Sequence, residues 1–156
     1  MPTTIPARDL PTLAGRTLEP SSWLRITQRR INQFADATND HQFIHVSRLR
    51  AALTPFRKPI AHGFLSLSLL TYLNRETALL PDNLRMVINY GSDRVRFIAP
   101  VKVGQRIRSH QKIVSVAEKR PGEWLVKNEV TVEIEGVEKP ALVAEMLALF
   151  VTGAES

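Results

Sequence analysis

The 156-residue chain contains no cysteine. That excludes disulfides, thiolate zinc sites and a cysteine nucleophile together. Histidine is scarce as well, with four in all (His41, His45, His62 and His110), of which only His41 and His45 stand at the i, i+4 spacing of a helical zinc site. That pair lacks the accompanying glutamate motif, so no metal is expected. Long apolar runs are missing: "FLSLSLLTYL" and "ALVAEMLALFV" are shorter than the roughly 18 residues a membrane helix needs, and both carry polar residues. The N-terminal stretch "MPTTIPARDLPTLAG" has no apolar core of the signal-peptide kind. A cytoplasmic protein without a membrane partner is expected. Lysine plus arginine number 21 against 15 acids, a net charge of +6, yet dense basic blocks and aromatic-interleaved RNA signatures are absent. The scattered charge reads as solvated surface or as a match for a substrate carrying phosphates, and no nucleic-acid partner is expected.

What remains is ordinary soluble composition, 44% hydrophobic and 23% charged, in a length that suits one domain over 1–156. Residues 1–20 carry Pro2, Pro6, Pro11 and Pro20 and read as an irregular arm. "QRRINQFADAT" puts Ile31, Phe34 and Ala35 on one helical face, with Ser21 or Thr27 as the candidate cap before it and Asn39 as its stop. "NDHQFIHV" is then loop, and Ser47 caps a short helix over "SRLRAAL". From His62 to about Leu80, apolar residues cover nearly the whole circumference of a helix, which must therefore be enclosed on most sides.

Strand-like runs follow: "LRMVINYG", "DRVRFIA", "GQRIRSHQKIVSVAE", "GEWLVKNEVTVEIEG" and "ALVAEMLALFV". The fourth alternates cleanly, with Val126, Val130, Val132 and Ile134 opposed to Lys127, Glu129, Thr131, Glu133 and Glu135. That pattern describes a sheet with one wet face. Antiparallel strands wrapped around one apolar helix give an α+β hot-dog fold. Its long strands and exposed edge predict a homodimer.

The order "FADATNDHQFIHV", "IAHGFLSLSLL", "INYGSDRVRFIAPVKVGQRIR" resembles the MaoC-like dehydratases, the (R)-specific enoyl-CoA hydratase family. The resemblance spans about residues 25–110. The family's motif is aspartate, any residue, asparagine, proline, a branched aliphatic and histidine. Asp40, Ile44 and His45 match it, whereas Gln42 and Phe43 stand in place of asparagine and proline. The resemblance implies a hydro-lyase of fatty acid metabolism that adds water to a trans-2-enoyl-CoA, giving the (R)-3-hydroxyacyl-CoA, or runs in reverse. No cofactor is implied, because CoA is part of the substrate.

The residue types suit that chemistry. The attacking water must lose a proton while the α-carbon gains one, and a carboxylate and an imidazole sharing one water can do both. Charge building on the thioester oxygen needs a donor. The Gly63 N–H at the helix start is a candidate, with glycine allowing close approach. Asp40, His45 and Gly63 are thus the predicted catalytic set. Gln42, His62, Ser66, Arg57 and Lys58 are candidate substrate contacts, the last two for coenzyme phosphates. Plainer readings stand beside these. Asp40 can be a turn residue, His45 a hydrogen-bonded core residue, His62 a helix cap, and Ser66 a partner for its own helix backbone. His41 and Asp36 read as surface. Two other functions remain open on the same fold: an acyl-CoA thioesterase, and a non-catalytic acyl-thioester or nucleic-acid binding module.

Overall fold

The computed structural model describes residues 3–153. The chain runs β1 (Thr3–Ile5), a 3₁₀ helix (Ala7–Leu13), β2 (Leu24–Arg25), α1 (Gln28–Thr38), α2 (Phe43–Val46), α3 (Arg48–Ala52), α4 (Gly63–Ser68), α5 (Leu70–Leu73), a 3₁₀ turn (Asn74–Glu76), β3 (Leu79–Pro81), β4 (Leu84–Phe97), β5 (Arg106–Arg120), β6 (Glu123–Ile134) and β7 (Leu142–Thr152). β2, β5, β6, β7 and β4 form one antiparallel sheet in that order, and β1 pairs in parallel with β3. This is the α+β arrangement predicted from the pattern.

Local chemistry sets the helix limits. Thr27 caps α1, its side chain accepting the Arg30 N–H at 3.2 Å, and Asn39 ends the helix in the left-handed conformation at φ 56°. Ser47 accepts the Arg50 N–H at the start of α3. On β6 the even-numbered Val126, Val130, Val132 and Ile134 are buried, as the alternation requires. Val130, Val132 and Ile134 pack with Ile31, Leu65, Leu69, Leu70 and Leu73 in the main core.

Several expectations are corrected. The arm is not irregular throughout, since it carries β1 and a 3₁₀ helix that accommodates Pro11. Leu10 and Leu13 from that helix join a second core with Ile113, Val126 and Phe150. Leu10, Leu13 and Leu18 supply the apolar spacing that outweighs the prolines. Met1 and Pro2 lie outside the described residues. The central helix stops by Glu76 rather than near Leu80, because the chain must turn into β3. "LRMVINYG" and "DRVRFIA" are one strand, kinked by three one-residue bulges against β7. The enclosure is also incomplete. Phe64 is 67% and Tyr72 57% exposed on the central helix, and Met86, Val87, Ile88, Tyr90 and Phe97 are exposed on β4, the outer strand of the sheet.

Candidate active site

After Asn39 turns the chain, Gln42 takes an extended conformation (φ −56°, ψ 135°) and Phe43 opens α2. "NDHQFIHV" is therefore loop only in its first half, and His45 sits on a helical turn. The first helical position is where proline fits best, and the conformation of Gln42 is the one that precedes proline. Phe43 occupies that place without the ring. The turn still closes, with the Gln42 carbonyl accepting the His45 N–H at 2.9 Å. The side chain of Asp40 accepts the Gln42 N–H at 3.4 Å and stays 52% exposed.

His45 is 7% exposed, and its Nδ1 lies 2.7 Å from the carbonyl of Ile60. A carbonyl only accepts, so Nδ1 carries the proton and Nε2 of the neutral ring holds a lone pair. Burial pushes the imidazole below its ordinary value. The Ile60 bond opposes that shift, His62 adds to it, and the Asp40 carboxylate opposes it. Gln28 holds the turn from outside, donating to the His45 carbonyl at 2.8 Å.

His62 lies behind this pair at 3% exposure. Its ring stacks on His45 with centroids 3.8 Å apart and planes 22° from parallel, and Phe34 packs 5.0 Å away. Nε2 donates to the Asp40 carbonyl at 3.0 Å, while Nδ1 is buried without a hydrogen-bond partner among the described residues. One potential ligand atom from each of Asp40, His45 and His62 falls within 4.8 Å of the others. Stacked rings send their in-plane lone pairs in nearly parallel planes, which do not meet at the short bonding distance of an ion. The spacing between the Asp40 carboxylate and the His45 ring suits one bridging water instead.

Gly63 begins α4. Its N–H is one of the donors a helix start leaves unpaired, and no acceptor bonds it among the described residues. Gly63, His45 and Ser66 line one pocket of about 310 Å³, closed by Phe56, Phe97 and Val101. A Cβ on Gly63 would stand 3.0 Å from the Phe97 ring, so the site has no room for a side chain there without moving Phe97.

The structure brings His45, Gly63 and Ser66 to one pocket, with the half-exposed Asp40 beside His45 but outside that lining and His62 behind the pair. Gln42 is exposed beside Asp40. Arg57 and Lys58 line a separate cleft, and His41 is an exposed partner of Asp36 at 2.9 Å. Farther along the central helix, Leu67, Leu70 and Thr71 line a larger, mainly apolar cavity of about 470 Å³, closed by Leu10, Leu13 and Phe150. Sequence reasoning missed Gln28, Phe97 and the Ile60 carbonyl. A backbone carbonyl leaves no mark on residue identity, and Gln28 looks like any polar residue in a first helical turn.

Comparison with known proteins gives the family. Residues 9–137 match the family described as MaoC like domain. The chain is 45% identical over 143 residues to the 3-hydroxyacyl-thioester dehydratase Z of Mycobacterium tuberculosis, covering 92% of this chain and 94% of that one. It is 46% identical over 142 residues to Nodulation protein N of Rhizobium meliloti, covering 90% and 88%. Among solved structures, the (R)-hydratase from A. caviae involved in PHA biosynthesis superposes with a TM-score of 0.70 at 22% identity, over 86% of this chain and 94% of that one. With the matched residues spanning most of its length, the chain belongs to the MaoC-like dehydratase family.

Proposed function

We propose that the protein catalyses the (R)-specific hydration of a trans-2-enoyl thioester to the (R)-3-hydroxyacyl thioester, and the reverse dehydration. One observation carries the reading: a neutral imidazole and a free helix-start N–H line one pocket, and a carboxylate lies within 4.8 Å of that imidazole. In hydration, the water held between Asp40 and His45 gives a proton to the pair as its oxygen bonds the β-carbon. Electrons of the double bond move towards the thioester carbonyl, whose oxygen gains negative charge against the Gly63 N–H. The α-carbon then takes a proton from the pair, leaving the enzyme as it began. The addition of water forms one C–O and one C–H bond at the expense of the double bond, with no oxidant or reductant needed, so the proposed reaction calls for no redox cofactor.

The larger cavity supports an acyl chain. It begins at Leu67, one residue past Ser66, and its walls are mainly apolar. Its size falls in the usual range for ligand sites. The exposed Phe64 and Tyr72, together with the open strand β4, support a homodimer that covers them. Among the described residues no helix is long and apolar enough to cross a membrane. We place the enzyme in the cytoplasm, a setting that suits a chain without cysteine.

The test is direct. Crotonyl-CoA should lose its enoyl-thioester absorbance on adding the protein, without release of free thiol and with (R)-3-hydroxybutyryl-CoA as product. Thiol release instead would assign a thioesterase, and neither change would reject catalysis on this substrate. Light scattering at micromolar protein should give about twice the 17.6 kDa chain mass. A monomer of full activity would reject the dimer.

A further inference from the structure

The inward face of β6 is apolar with one interruption. Val126, Val130, Val132 and Ile134 are buried on it, and Asn128 falls in the same alternation. Even-numbered positions of a strand share one side of the sheet, so the Asn128 amide faces inward. It forms part of the wall of the larger cavity of about 470 Å³. Its Oδ1 is buried and has no hydrogen-bond partner among the described residues.

The cross-strand neighbours cannot supply a partner. The row through Asn128 runs from Ile113 on β5, through Asn128, to Met146 on β7 and Ser92 on β4, and all four line the cavity. The two that flank the amide are apolar. β4 bulges between Asn89 and Gly91 and again between Ser92 and Arg94, which bends the strand at this level. Other polar side chains of the cavity are matched within the fold. Asn74 accepts the Ser109 hydroxyl at 2.6 Å, and Gln111 donates to the Thr77 hydroxyl at 3.1 Å.

An unpaired amide in an apolar wall is costly, and a valine would continue the pattern of the strand. Departures of this kind from the local rule belong at functional positions. The level of Asn128 is also far from the chemistry. Ala141, which lines the catalytic pocket, precedes Met146 by five residues, ~17 Å at the rise of a strand. With carbon–carbon bonds of ~1.5 Å, a chain reaching from the reacting end to Asn128 needs more than about ten carbons.

We propose that Asn128 recognises a hydroxyl on the outer half of a long acyl chain, so that the substrates are long-chain enoyl thioesters oxygenated far from the reacting double bond. A hydroxyl is the group that fits. Its O–H donates to Oδ1 while its oxygen accepts from Nδ2. A plain methylene at that level leaves the amide unpaired. A site built around such a bond rejects the analogue lacking it far more strongly than an apolar pocket discriminates by size. The proposal rests on the hydratase reading for the reacting end, but the subsite is tested without turnover.

Calorimetry on the full chain uses tetradecanoyl-CoA and analogues with one hydroxyl moved carbon by carbon along the outer half of the chain. These saturated thioesters have no double bond to hydrate. In wild type one hydroxyl position should bind at least tenfold more tightly than the unsubstituted chain, and a methyl branch at the same carbon should gain nothing. Asn128→Leu keeps the shape and removes both polar atoms. It should abolish the hydroxyl preference and bind the unsubstituted chain at least as tightly as wild type does. Because it also removes an unpaired buried amide, its melting temperature without ligand should rise by ~2–4 °C. A flat hydroxyl series, as expected of an amide that only holds an ordered water, overturns the proposal. So does a preference that survives Asn128→Leu, one that a methyl branch matches, or a variant that melts below wild type. Hydration of crotonyl-CoA is assayed alongside. Its absence with the hydroxyl preference intact would reject the hydratase reading and leave the subsite standing.

Discussion

The ring of His62 lies face to face with that of His45, 3.8 Å between centroids, while its Nε2 holds the backbone of Asp40 at 3.0 Å. One buried side chain thus fixes both members of the proposed dyad without lining the pocket. His62→Phe keeps a flat ring for the stack and deletes the bond to Asp40. Misplacement on the ångström scale costs up to ~100-fold, so kcat should fall ten- to a hundredfold with KM little changed. The lost hydrogen bond should cost about 1 kcal/mol of stability. Turnover at the wild-type rate in a folded His62→Phe protein would remove His62 from any positioning role.

Asp40→Asn and His45→Gln should each lower kcat by at least ~100-fold. On the proposal that both act on one water, the double variant should lose far less than the product of the two. Steady-state rates on crotonyl-CoA decide it. Losses that multiply would mean the two residues work independently.

Gly63→Ala places a methyl 3.0 Å from Phe97. Its activity should fall, and Phe97→Leu in the same chain should restore part of it by clearing the space. Gly63→Pro deletes the N–H itself and should remove ~2.7–4 kcal/mol of transition-state stabilisation, which Phe97→Leu should not recover. Proline is tolerated at the first helical position, and thermal unfolding checks that the fold survives. Equal rescue of both variants would show that the N–H is not used.

The lowered proton affinity of His45, caused chiefly by burial, should set the acid limb of the pH profile if His45 takes the proton as proposed. kcat/KM should decline as pH falls through a value below the ordinary ~6.5 of histidine. The same shift acts on stability. The unfolded imidazole takes up its proton first on acidification. The contribution of neutral His45 is therefore complete above about pH 6.5 and is lost as pH falls through the folded value. Melting temperatures of wild type should drop more steeply with acidification than those of His45→Gln. Parallel curves would assign the acid sensitivity elsewhere.

Much of this was legible in the sequence because it rests on periodicity and capping. The even-numbered valines of β6 declare their buried face, and Thr27, Asn39 and Ser47 act as caps and stop because their side chains and backbone preferences are local properties. The proximity of Asp40, His45 and Gly63 could be anticipated from motif order alone. The role of His62 could not, because a ring that reads as a helix cap acts here through stacking across 17 residues of chain, onto His45. The arm misled for a similar reason. Its prolines speak against regular structure locally, but Leu10 and Leu13 find a core only once β5 and β7 are in place.

The two margins of the main sheet are unequal, and this limits how copies can associate. On one side β2 is only two residues long, and the arm beyond it occupies the outer face of β5. Gly15 donates to Ile113 at 2.7 Å, Leu18 to Gln111 at 2.9 Å and Ser21 to Ser109 at 2.9 Å. On the other side β4 spends fourteen residues against the eleven of β7, its surplus absorbed by three bulges. A flat strand would not follow those kinks, whereas a second β4 running the opposite way carries them too. Once two such margins have zipped together, each copy presents only its arm-covered side. In the proposed homodimer growth would therefore stop at a pair, and the chain would keep a long apolar strand in reserve without seeding a fibre.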